Sequence, residues 1–160
     1  MQVDEARKAA VPLVKVASDG MGLIKPLFVA EALLQALVLG KLFKVSKEDV
    51  IAEIEQKKAE NPCVIYTYKL SPFSTEALAL LDASGYEYTN IELGLEWFAL
   101  GPKGSATRVE LRKMYGQGSL PHVFIGGEWV GGLATGGEGG LAGLVERDEL
   151  LAKLKAAKAL

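Results

Sequence analysis

The chain has one cysteine, Cys63, and one histidine, His122, among its 160 residues. A single cysteine excludes an intramolecular disulfide and any catalytic cycle that needs two thiols of one chain. One cysteine and one histidine also fall short of the soft-ligand set of a zinc site, so no metal centre is expected. Charge of one sign is lacking too. Eighteen basic and twenty acidic side chains give a net charge of −2 with no basic block. Nucleic acid is therefore not an expected partner, because binding a phosphate backbone needs concentrated Lys and Arg. Long apolar runs are missing as well. The richest stretch, residues 26–39, contains Glu31 and lies between Lys25 and Lys41. It is shorter than the roughly 20 apolar residues a membrane helix requires, so no transmembrane span of its own is expected. Residues 1–10 are charged and hold no apolar signal region.

What is present reads as two parts, a helical extension over residues 1–60 and an α/β domain over residues 61–160. In the extension, Pro26 opens a helix that Gly40 closes. Glu31 and Gln35, one turn apart, form its only polar stripe, which is more apolar surface than an ordinary surface helix carries. Leu27, Phe28, Leu34, Leu37 and Val38 are candidate docking residues, either against the chain's own domain or against a protein partner or large, membrane-embedded complex. A second helix starts at Ser46, with Asp49 three positions on and Val50, Ile51 and Ile54 on its apolar side. Asn61-Pro62 ends it.

The second part alternates between periods. Residues 63–68 are β-branched and aromatic and read as a buried strand. Ser71-Pro72 opens a helix that stops at Gly85, and residues 86–91 form the next strand, in a right-handed parallel unit. A long connection over residues 92–105 carries Trp97 and Phe98, aromatic candidates for the same docking surface. A helix over residues 106–115 follows. Residues 121–130 read as a hairpin turning at Gly126-Gly127. A glycine-rich stretch, read as a flexible connection, leads to a final helix over residues 141–157. The order is β-α-β-α-β-β-α.

Four landmarks fall in register with one family. Ser71-Pro72-Phe73-Ser74 stands where glutaredoxins carry Cys-Pro-Tyr-Cys, and Gly116 to Pro121 matches their segment ending in a cis proline. Val123 to Gly127 matches their hairpin, and Gly131-Gly132 a Gly-Gly pair of their glutathione-binding members. From residue 61 onward the chain thus resembles the glutaredoxin branch of the thioredoxin fold. The resemblance implies an α/β thioredoxin/glutaredoxin-like fold with an N-terminal helical extension.

It also implies a lost activity. Glutaredoxin chemistry uses a thiolate whose pKa is lowered at a helix N-terminus, and serine at Ser71 and Ser74 supplies none. Thiol exchange and iron–sulfur ligation through this motif are both excluded. The family's glutathione groove maps to Lys69, Leu120, Pro121, Gly131 and Gly132. Its aspartates are replaced by Ala134 and Thr135, and its lysine aligns with Tyr68, next to Lys69. Glutathione is therefore expected as a weak ligand at most, with no resident cofactor.

Ser71 and Pro72 also suit a plain helix start. The enzymatic alternative has Ser71 stabilise a bound glutathione thiolate, as a serine does in plant-type glutathione transferases. Cys63, in a core strand, reads as packing, and His122 is given no catalytic role. The chain is also similar to glutaredoxin-like proteins of algal plastids. Together these readings point to a redox-inactive binding or structural subunit of a larger complex, one of a photosynthetic membrane, with a plastid location peripheral to it.

Overall fold

The computed structural model describes residues 45–94 and 102–158. The first of these belong to helix α1 (Lys47–Glu60), capped by Ser46, whose hydroxyl oxygen accepts the N–H of Asp49 at 3.4 Å. Then follow β1 (Cys63–Thr67), α2 (Pro72–Ser84), β2 (Thr89–Glu92), α3 (Pro102–Tyr115), β3 (His122–Ile125), β4 (Glu128–Gly131), α4 (Gly140–Glu146) and α5 (Leu150–Lys158). The four strands form one sheet in the order β2-β1-β3-β4. β1 runs parallel to β2, with Tyr66 opposite Ile91, and antiparallel to β3, with Tyr66 opposite His122. This is the mixed α/β sheet expected from the sequence.

Side chains alternate across a strand, so β1 feeds two cores. Cys63 and Ile65 pack with Ala77, Leu80 and Leu81 of α2 and with Leu144, Leu150 and Leu154 from α4 and α5. Val64 and Tyr66 face the other way, against Val50 and Ile54 of α1, Leu111 of α3 and Phe124 of β3. Tyr66 and Phe124 meet edge to face at 6.1 Å.

Three expectations change. The boundary at residue 60 does not follow the packing, because α1 belongs to the second core. Val50 and Ile54 are 3% and 1% exposed, and burying two such side chains stabilises the unit by about 1.5–3 kcal/mol each. Helix α1 therefore packs as part of the α/β unit. The final helix is two helices, separated where Asp148 adopts φ 58°. The stretch after β4 is a bonded loop. In it the N–H of Gly132 donates to the carbonyl of Thr135 at 2.7 Å and that of Glu138 to Val130 at 3.1 Å. The predicted docking residues Leu27, Phe28, Leu34, Leu37 and Val38, with Trp97 and Phe98, lie outside the described residues. Among the described residues no helix is long and apolar enough to cross a membrane.

Candidate functional site

The C-terminal end of β1 carries the site. Beyond Thr67 the chain turns, with the N–H of Ser71 donating to the carbonyl of Tyr68 at 2.9 Å, and α2 begins. Ser71 is its N-cap: backbone φ −86°, ψ 118°, and a hydroxyl oxygen that accepts the N–H of Ser74 at 3.3 Å. Pro72 follows in the first turn, where its missing N–H and fixed φ suit a helix start. Gly85 closes the helix in the left-handed conformation at φ 73°.

The two serines of the motif have different surroundings. Ser71 is half-buried, whereas Ser74 is 1% exposed. The Ser74 hydroxyl oxygen accepts the N–H of Tyr68 at 3.1 Å. That bond ties the end of β1 to the first turn of α2, a cross-link the sequence did not announce. Phe73 packs against the first core. Lys69 is exposed, and Leu70 is the most exposed large apolar side chain among the described residues, at 65%.

The peptide between Leu120 and Pro121 is cis. Because His122 pairs with Tyr66, Pro121 stands beside Thr67, at the same end of the sheet as Ser71. The loop ahead of it is held by three side chains. Gln117 donates from Nε2 to the carbonyls of Ser119 and Pro121, both at 3.0 Å, and its Oε1 accepts the hydroxyl of Thr135 at 3.1 Å. Arg108, 5% exposed, donates from Nε to the carbonyl of Gly118 at 3.0 Å. His122, 0% exposed, meets the carbonyl of Gln117 through Nε2 at 3.0 Å. A carbonyl only accepts, so Nε2 carries the hydrogen and Nδ1 is bare. Nδ1 is buried without a hydrogen-bond partner among the described residues. Burial and then the nearby Arg108 cation push the His122 pKa down to about 4, against the opposing bond to Gln117. The ring is neutral at physiological pH.

Sequence reasoning missed Gln117, Arg108 and Thr135. The one local signal was a polar, non-turn residue at 117, set between Gly116 and Gly118. Gly131 and Gly132, predicted as groove residues, sit where the surrounding loop leaves no room for a side chain. A Cβ on Gly132 would lie 2.8 Å from Gln117 Nε2 and 2.9 Å from the carbonyl oxygen of Pro121. On Gly131 it would run into the carbonyl oxygen of Thr135. The glycine pair thus lets the loop after β4 close onto the cis-proline loop.

Cys63 opens β1, at the end of the strand away from Ser71, and is 1% exposed. Burial pushes its thiol up to about 12, so it is a protonated, apolar-packed group at neutral pH. Among the described residues no cluster of His, Cys, Asp and Glu could hold a metal ion.

Comparison with known proteins places this geometry. The glutaredoxin family model matches residues 63–130. Monothiol glutaredoxin-S12, chloroplastic, of Arabidopsis thaliana is 36% identical over 46% of this chain and 39% of its own length. Glutaredoxin-C6 of Oryza sativa subsp. japonica is 31% identical over 59% of this chain and 84% of its own length. The chain thus spans well under half of the first relative and most of the second. Among solved structures, the holo form of glutaredoxin C1 from Populus tremula x tremuloides superposes with a TM-score of 0.61 at 26% identity. That superposition covers 71% of this chain and 94% of the other.

Proposed function

The chain belongs to the glutaredoxin family, and we propose that within it this protein is a redox-inactive binding or structural subunit of a larger complex. The observation that carries the reading is the chemistry at the start of α2. Its hydroxyls, Ser71 and Ser74, are spent on capping the helix and on fastening it to β1. The chain's one thiol lies at the other end of β1, buried and protonated. A hydroxyl has a far higher pKa than a thiol and forms no disulfide, so the mixed-disulfide step of thiol exchange has no nucleophile here. What persists is the scaffold: a capped helix start, a cis-proline loop and an exposed Leu70 on one end of the sheet. Such a face binds without reacting.

In this reading the apolar segment 26–39, with Trp97 and Phe98, anchors the protein to its complex. That complex is a photosynthetic membrane assembly in a plastid. Two relatives whose names mark them chloroplastic support the compartment. The competing reading is a glutathione-dependent enzyme in which Ser71 faces the ligand thiolate. The position of half-buried Ser71, at the same sheet end as the cis proline, favours it. Native-size separation of gently solubilised membranes from the source, with subunits identified in each fraction, distinguishes the two. Migration with a high-mass complex, unchanged by Ser71→Ala, is expected. A free monomer or dimer that binds glutathione through Ser71 would replace the subunit reading with the enzymatic one.

A further inference from the structure

A cleft of about 460 Å³ opens near the start of β1, between the α2–β2 connection and α5. This is the end of the sheet away from Ser71 and Pro121. The volume falls in the range of small-molecule sites, about 300–1,000 Å³. Its walls are flat or apolar: Pro62, Tyr86, Tyr88 and Leu154, with Cys63 buried beneath.

Three of the polar side chains along it are already engaged. Asn61 donates from Nδ2 to the carbonyl of Lys57 at 2.8 Å and accepts the Thr89 hydroxyl at Oδ1 at 2.7 Å. The Tyr88 hydroxyl donates to Asp82 Oδ1 at 2.6 Å. Of the two charged groups, Glu87 and Lys158, both are solvent-exposed and they are opposite in sign. The described residues along the cleft thus offer mostly aromatic and aliphatic carbon, and their two charges are opposite in sign. Only a ligand with the same character replaces water there without stranding a polar group.

We infer that this cleft is a binding site for a small, neutral, planar aromatic compound, held between the Tyr86 and Tyr88 rings and the Leu154 side. This site is separate from the end of the sheet that carries the proposed function and does not depend on that reading.

Titrating the ¹⁵N-labelled full chain with indole as the probe tests it. Saturable shifts at the amides of Cys63, Tyr86, Tyr88 and Thr89 are expected, with contacts from indole protons to Tyr86 and Leu154. Losing one ring wall in Tyr88→Ala should weaken binding by about tenfold. Tyr88→Phe, which keeps the ring and drops the bond to Asp82, should bind as the parent does. Shifts that fail to saturate, or that lie elsewhere, overturn the proposal. So does equal binding by Tyr88→Ala, or the same amides shifting when the protein alone is concentrated, which would mean a second copy seats there. Should Tyr88→Ala not fold, the indole contacts to Tyr86 and Leu154 in the parent decide.

Discussion

Acid should loosen this protein through His122 before its carboxylates protonate. In the unfolded chain the imidazole titrates near 6.5, and in the fold near 4. The reason is structural: the ring is fully buried, its Nδ1 has no acceptor within the described residues, and Arg108 lies close enough to repel a second cation. The sign follows from proton counting. Between pH 6.5 and 4 the unfolded chain binds the proton and the native protein does not, so stability falls as pH falls through that window. The stabilisation is intact above pH 6.5 and spent below about 4. The difference between the two pKa values amounts to about 3 kcal/mol, a large part of the stability of a small domain. Urea unfolding at half-unit steps from pH 7.5 to 5 reads it, since most unperturbed carboxylates stay ionised there. The parent should lose stability with a slope approaching ~1.4 kcal/mol per pH unit near pH 5. His122→Phe should be less stable at pH 7.5, having left the Gln117 carbonyl without its donor, yet nearly flat over the same range. A His122→Phe slope equal to the parent's, or an imidazole that titrates above pH 6 in the native protein by NMR, would refute the reasoning.

Gly132→Ala forces a methyl against the carbonyl oxygen of Pro121 and the Gln117 amide. It should destabilise the fold by about 1–3 kcal/mol, as overpacking does, and calorimetry should show the lower Tm. Ser71→Ala removes the hydroxyl that accepts the Ser74 N–H. The expected loss is about 1 kcal/mol in denaturant unfolding, with association with the proposed complex unaltered; a loss of association at equal stability would mean that the hydroxyl touches the proposed partner.

Local chemistry made much of the fold legible. Ser71, Pro72 and Gly85 bracket α2 because N-cap, first-turn and left-handed C-cap preferences act within a few residues. The turn at Gly126-Gly127, with φ 61° and 78°, has the positive φ values a two-residue hairpin demands. Some of the features that were missed depend on distant parts of the chain. The helix at 47–60 looked like part of an appendage because nothing in its own sequence says that Val50 and Ile54 will meet Tyr66 and Phe124. Helix α3 starts at Pro102, four residues before Ala106, because proline suits a first turn. The break at Asp148 has no glycine or proline to announce it. At the site the motif serines could be read directly, and the cis proline followed from the family resemblance. The grip of Gln117, Arg108 and Thr135 on the proline loop could not, since it joins residues from α3, the loop before β3 and the loop after β4.

The most direct test of the central claim is the rate at which the purified protein reduces a small mixed disulfide of glutathione, measured for the parent and for Ser71→Cys. The account predicts no rate above buffer for the parent, whose Cys63 is buried and protonated. It predicts measurable exchange once a thiol stands at the start of α2, where the helix dipole lowers its pKa. Turnover by the parent chain would contradict it.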